Sequence, residues 1–165
     1  MNDTQKPTEY VITELVGEDA LEAIEYLQGK KNVSEFIIAE DLGIEIHEMR
    51  NILYRCYDHN ICTFVRRKDK KKGWYICYWN FNAEQIPHLQ AKIQKNKIAK
   101  LTQRLATEQQ GQFYMCKQAC VRMDFDKAVE YNFKCPECGE IQEMQDNART
   151  IAFLTEQLEK LTAQE

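Results

Sequence analysis

The chain has few histidines, and basic residues are scarce at both of its ends. His47, His59 and His88 lie far apart in the sequence and read as ordinary polar residues rather than as ligands. No stretch approaches the roughly 18 consecutive apolar residues of a membrane span, although 44% of the 165 residues are hydrophobic. The opening Met1-Asn2-Asp3-Thr4-Gln5-Lys6-Pro7 lacks the basic and then apolar order of a signal peptide. A cytosolic location is therefore expected. No internal repeat is evident, and no βαβ pattern surrounds the cysteines.

The net charge of −4 hides an uneven distribution. Residues 1–60 carry 5 basic and 13 acidic groups, residues 61–110 carry 11 and 3, and residues 111–165 carry 6 and 10. A polyanion should therefore meet the middle of the chain first.

The apolar pattern gives the elements. Ala20, Leu21, Ala23, Ile24 and Leu27 recur at three- and four-residue steps between Asp19 and Gln28, which predicts a core helix closed by Gly29. An extra helix over Val11–Val16 is expected before it. Ser34 can cap a helix through Leu42, and Gly43-Ile44 then turns the chain into a second helix with Ile46, Met49, Leu53 and Tyr57 inside. Two β-rich runs, Ile61–Arg67 and Gly73–Trp79, flank the charged loop 68–72 and read as a hairpin. Helix-turn-helix plus a hairpin with a basic tip predicts a winged helix.

From Ala83 to Gln109 the composition predicts a long helix, with Pro87 tolerated near its start. Its apolar residues Leu89, Ile93, Ile98, Leu101 and Leu105 form two stripes out of phase, as expected if its two ends pack on different partners. Ile151, Leu154, Leu158 and Leu161 predict a terminal helix whose stripe is either a bundle seam or coiled coil, or a partner surface. The expected class is mainly α with small β: an extended winged helix-turn-helix domain over 1–82, a linker helix over 83–110, a ribbon over 111–146 and a C-terminal helix over 147–165.

Seven cysteines are present, and four fall in two close pairs, Cys116-Lys-Gln-Ala-Cys120 and Cys135-Pro-Glu-Cys138, separated by fourteen residues. In a reducing compartment this spacing points to metal. Four thiolates suit one structural Zn2+ with a closed tetrahedral shell. Buried cysteines, a redox pair at Cys135 and Cys138, or an iron–sulfur cluster are the alternatives. Phe113, Tyr114, Phe125, Tyr131 and Phe133 would give the segment its small core. Cys56, Cys62 and Cys77 sit among apolar residues and read as small buried hydrophobes.

The basic run Arg66, Arg67, Lys68, Lys70, Lys71 and Lys72 adjoins Trp74 and Tyr75, a mix suited to phosphate contact and to stacking on unpaired bases; a solvated tip is the bland alternative. On the second helix, His47, Arg50, Asn51, Tyr54, Arg55 and Asp58 face outward, and two arginines there could read a major groove. The acidic setting of Glu45, Glu48 and Asp58 opposes this.

The helix-turn-helix with Leu42-Gly43-Ile44, the wing sequence Gly73-Trp74-Tyr75-Ile76-Cys77-Tyr78-Trp79, and Phe125-Asp126-Lys127-Ala128-Val129-Glu130 leading into Phe133-Lys134-Cys135-Pro136-Glu137-Cys138-Gly139 together resemble archaeal transcription factor E. Its eukaryotic counterpart is the alpha subunit of general factor IIE. The resemblance implies a non-enzymatic initiation factor of the archaeal cytosol and nucleoid. Such a factor joins the preinitiation complex, binds the clamp and stalk region of RNA polymerase, and helps open promoter DNA, with its wing near the non-template strand and TATA-binding protein as a further candidate partner. A sequence-specific winged-helix regulator with a structural zinc ribbon is the competing reading, and the three-residue gap between Cys116 and Cys120 departs from the usual knuckle.

Overall fold

Residues 5–68 and 73–163 are described by the computed structural model, and they divide into two units, 1–93 and 94–165. The first unit opens with α1, Gln5–Leu15, whose Val11 and Ile12 are buried. The helix expected from Asp19 begins instead as a 3-10 turn, Glu18–Ala20, before α2, Leu21–Leu27. Gly17 precedes it at φ 126°, a backbone conformation open to glycine, and Arg55 donates to the Val16 carbonyl beside it at 2.7 Å.

A two-residue strand β1, Val33–Ser34, leads into α3, Glu35–Leu42. Ser34 caps that helix, its Oγ accepting from the Phe36 N–H at 3.3 Å. Gly43 closes it at φ 66°, and the Ile44 N–H returns to the Ala39 carbonyl at 3.0 Å. Helix α4, Ile46–Asp58, buries Met49, Ile52, Leu53 and Cys56. Tyr57, expected inside, is exposed: the three- and four-residue rhythm that starts at Met49 reaches Cys56 rather than Tyr57, and the Tyr57 ring lies tilted against Phe64, centroids 5.1 Å apart.

The hairpin consists of β2, Cys62–Lys68, and β3, Tyr75–Phe81, and the sheet order is β1-β3-β2. Period-two alternation sends Phe64 and Trp79, paired across the strands, onto the helices, and Trp79 is fully buried. Ile86, Leu89 and Ile93 from the start of α5, Gln85–Gln110, complete this core.

The second unit holds the remainder of α5, where Ile98, Leu101 and Leu105 are half-buried, so the two stripes of this helix belong to different units. Strands β4, Phe113–Cys116, β5, Arg122–Asp124, and β6, Gln142–Met144, form a sheet in the order β5-β4-β6. Between β5 and β6 lies α6, Phe125–Glu130, capped by Asp124, whose side chain accepts from the Lys127 N–H. Helix α7, Ala148–Thr162, buries Leu154. The Gln94 side chain donates to the Leu161 carbonyl at 3.0 Å and Asn147 donates to the Glu108 carbonyl at 2.6 Å, so both ends of α7 are bonded to α5. The architecture is mainly helical with two small sheets, a winged helix-turn-helix followed by a long helix, a ribbon and a terminal helix.

One buried ion pair ties this second unit together. Glu108, 4% exposed, receives two parallel bonds from Arg122 at 2.9 and 2.7 Å, while the same guanidinium lies 3.8 Å from the Phe113 ring centroid and donates to Gln145 at 2.6 Å. Arg122 holds the Glu108 carboxyl below the usual carboxylate range. A depressed pKa contributes stability that is present above the unfolded value and lost as pH falls through the folded one. Glu108→Ala should cost about 3 kcal/mol at neutral pH, the low end for a buried pair because Arg122 is partly exposed. The loss should shrink as the parent protein is acidified below the ordinary glutamate pKa. Thermal melting of the second unit across pH checks both, and an unchanged transition at neutral pH refutes the clasp.

Candidate functional site

The ribbon places its two cysteine pairs at two turns. Cys116 ends β4, and the chain then turns back so that the Ala119 N–H bonds the Cys116 carbonyl at 2.9 Å and the Cys120 N–H points at Cys116 Sγ at 3.4 Å. Ala119 sits in the left-handed region at φ 53°. That single residue absorbs the extra length of the first knuckle, so the departure from two intervening residues is taken up by backbone conformation rather than by displacement of a thiol. At the second turn the Cys135 N–H bonds the Glu140 carbonyl at 2.8 Å, the Gly139 N–H bonds the Cys135 carbonyl at 2.8 Å, and Gly139 adopts φ 75°.

The four Sγ atoms, from Cys116, Cys120, Cys135 and Cys138, lie within 4.8 Å of one another. A tetrahedron of sulfurs about 2.3 Å from a central ion has edges of about 3.8 Å, so the cluster is close to the size that one metal ion requires. Electrostatics point the same way. The Cys120 N–H, aided by the neighbouring thiols, pulls the Cys116 thiol down to about 6, while Cys116 and Cys138 push Cys120 up to about 12. Thiols packed this closely resist ionising together, and a cation among them removes that penalty. The residues present can hold a metal ion.

Around them, Tyr114, Phe125 and Phe133 form a ring triad with centroids 5.0 to 6.2 Å apart. Phe125 and Tyr131, both expected in this core, are exposed: Phe125 touches the other two rings from the first position of α6 yet stays 47% open, and at Tyr131 the chain leaves α6 and passes through left-handed Asn132 and Phe133.

In the wing, Arg66, Arg67 and Lys68 lie on β2 opposite Cys77, Ile76 and Tyr75. Strand alternation sends the two arginines to opposite faces: Arg66 lies 4.5 Å from the Tyr75 ring centroid and Arg67 lies 5.4 Å from that of Tyr78. Trp74 is 62% and Tyr75 55% exposed. Lys70, Lys71 and Lys72 fall outside the described residues.

The outer side of α4 differs from its expected role. Arg50 donates through Nε and Nη2 to Glu35 Oε1 at 3.1 and 2.7 Å, and Arg55 pairs with Asp19 as well as bonding the Val16 carbonyl. Both arginines that could have read base edges are thus committed to the fold. Cys56, Cys62 and Cys77 are buried, and the hydrogen bond from Cys56, together with burial, raises the Cys62 thiol far above its ordinary value, which makes it a structural group. Neither the Glu35–Arg50 pair nor the Glu108–Arg122 pair has a short-range sequence signal, since their partners stand 15 and 14 residues apart.

The model for the TFIIE alpha subunit matches residues 7–111. Transcription factor E of Sulfolobus acidocaldarius is 35% identical over 149 residues, which cover 90% of this chain and 87% of that protein. The chain belongs to the transcription factor E family. The counterpart from Methanosarcina mazei is 34% identical and covers 90% of each chain, and that from Pyrococcus abyssi is 32% identical, covering 92% of this chain and 80% of its own. A solved structure titled as a possible transcriptional regulator from Methanosarcina mazei Go1 shares the fold, with a TM-score of 0.52 and 14% identity over 60% of this chain and 86% of that one. The family match runs through the winged helix and the whole of α5, and the longer similarities with the named relatives take in most of the chain. The chain is therefore a general transcription factor of the initiation class. No helix among the described residues is long and apolar enough to cross a membrane.

The commitment of Arg50 can be tested directly. Arg50→Ala should strand the Glu35 carboxylate, 3% exposed, and lower the stability of the first unit by about 3–5 kcal/mol. Thermal unfolding reads this, and a stable variant with altered duplex-DNA affinity would assign Arg50 to recognition instead.

Proposed function

We propose that the chain acts as a basal initiation factor that binds RNA polymerase in its clamp and stalk region, meets promoter DNA in the preinitiation complex, and favours opening of the promoter and stability of the open complex. The observation that carries this reading is family membership over nearly the whole chain, combined with a wing that concentrates exposed aromatics beside Arg66, Arg67 and Lys68. The binding groups are Arg66, Arg67, Lys68, Lys70, Lys71, Lys72, Trp74 and Tyr75, which meet the non-template strand or the polymerase at the edge of the bubble. TATA-binding protein is a further partner. The factor works in the archaeal cytosol, associated with the nucleoid.

One Zn2+ per chain, held by Cys116, Cys120, Cys135 and Cys138, suits the donor set, since four thiolates match that soft cation. A closed shell leaves no position for substrate, so the ion serves the fold and the chain is not an enzyme. The working parts are residues 1–82 as winged helix, 83–110 as linker, 111–146 as ribbon and 147–165 as terminal helix. A sequence-specific regulator would need free donors on the second helix of the helix-turn-helix, and the ion pairs of Arg50 and Arg55 argue against it.

Replacing Lys68, Lys70, Lys71 and Lys72 by alanine together should reduce promoter opening at limiting factor concentration and flatten the salt dependence of DNA binding within the polymerase complex. About three phosphate contacts correspond to a lost slope of about 2 to 3 in log K against log salt. Trp74→Ala should weaken opening while leaving that slope nearly unchanged. Variants that melt like the parent and open promoters equally well would remove the wing from the mechanism. A chain that fails to co-purify with polymerase, whether or not clamp and stalk are present, would remove the polymerase contact.

A further inference from the structure

The two knuckles of the ribbon differ in how firmly they are held. In the second, the Cys135 N–H bonds the Glu140 carbonyl, the Gly139 N–H bonds the Cys135 carbonyl, and Lys134 pairs with Ile141 at the base of the turn. Gly139 takes its left-handed conformation without steric cost. In the first knuckle that conformation falls on Ala119, φ 53°, where the Cβ makes it unfavourable. Burial differs in the same sense. Cys116 and Cys135 are each 2% exposed and Cys138 is half-buried, whereas Cys120 is exposed, at the end of a run, 117–120, that is exposed throughout. That run hangs between two fixed points: Cys116 belongs to β4, and Arg122 opens β5 and clasps Glu108. The loop between them can swing outward and carry Cys120 away without unpairing a strand.

We propose that Cys120 is a modification site, the thiolate at which low-molecular-weight disulfides react and open the metal centre; the inference rests on the four-thiolate reading of that centre. In a loaded centre every sulfur is a thiolate, so access and strain rank the four rather than acidity. Cys116 accepts the Cys120 N–H, and a hydrogen bond of this kind draws density from a sulfur and weakens it as a nucleophile. Cys120 attacks one sulfur of the disulfide: the new sulfur–sulfur bond forms as the old one breaks, and the other half leaves as a thiolate. Cys120 thereby loses its charge and its hold on the ion, and Ala119 relaxes out of the left-handed region. Three thiolates hold the ion less well than four, and residues 94–165 lose what closes their fold. A reducing thiol reverses the exchange, so disulfide stress disables the ribbon and its relief restores it.

The test uses the full chain with its metal, the content being counted first by a chromogenic chelator after denaturation. A limiting amount of N-ethylmaleimide, which alkylates irreversibly and so marks the first thiolate to react, is followed by tryptic mass spectrometry, in which cleavage after Lys117 separates Cys116 from Cys120. Cys120 should react about fivefold faster than Cys138, a bias equal to the relieved left-handed strain, and Cys116 and Cys135 should react last. A small neutral dipyridyl disulfide should then release the metal in step with modification of Cys120 and abolish the melting transition of residues 94–165, and dithiothreitol with added zinc should restore both. Ala119→Gly keeps all four thiols and removes the strain, so it should slow modification of Cys120 about threefold. Equal labelling of the four cysteines in a loaded chain overturns the proposal, as does first labelling of any other cysteine, or an Ala119→Gly chain that reacts as fast as the parent. A chain that carries no metal contradicts the four-thiolate reading itself, whereas a loaded chain labelled first elsewhere contradicts only the assignment of Cys120.

Discussion

Four sulfur atoms converge in a segment that has too few apolar side chains to build a core of its own. Apart from Cys116 and Cys135 themselves, the buried hydrophobic residues among the described residues of the second unit are Met123, Ala128 and Leu154. Burying three side chains of that size supplies only a few kcal/mol, at about 1.5–3 kcal/mol for each large one, against the ordering of several dozen residues. The constraint shapes everything near it. Left-handed backbone at Ala119 and Gly139 exists to bring sulfurs together, the three strands are three or four residues long, and the Glu108–Arg122 clasp joins α5 to the sheet where apolar contact is thin.

The first unit solves its packing differently. Buried residues from α1 to α5 surround Trp79, and two charge pairs at its margin, Glu35 with Arg50 and Asp19 with Arg55, turn a helix surface that could have addressed a DNA groove into part of the scaffold. What remains available is the wing. Its strands divide the basic groups between two faces, one open beside Tyr78 and the other folded over a cavity with Tyr75. In the proposed function such a surface meets a flexible or unpaired strand rather than the fixed edges of a duplex.

Much of this was legible in the amino-acid order. Capping by Ser34, the glycine turn at Gly43, the hairpin and the helix ending at Gln110 all follow from local chemistry acting over a few residues. The cysteine pairs were legible for the same reason, since chelation fixes spacing. Illegible were features that depend on distant partners. Tyr57 looked inward by rhythm alone, yet the hairpin offered it the tilted ring of Phe64 instead. Arg50 and Arg55 looked free until α3 and the turn at Asp19 came beside them. The bonds from Gln94 and Asn147 that tie the two ends of α7 to α5 span 67 and 39 residues and leave no local signal either.

The central claim, that closure of four thiolates around a metal makes the second unit while the first stands on burial, can be put to one measurement. Native mass spectrometry of the purified chain, followed by thermal unfolding with and without a strong chelator, reads metal content and the two units together. The account predicts one zinc per chain. On its removal the transition of residues 94–165 should be lost, because the binding free energy of such a site is folding free energy, while that of residues 1–93 should persist. A metal-free chain that retains both transitions, or a chelated chain in which both vanish together, would contradict it.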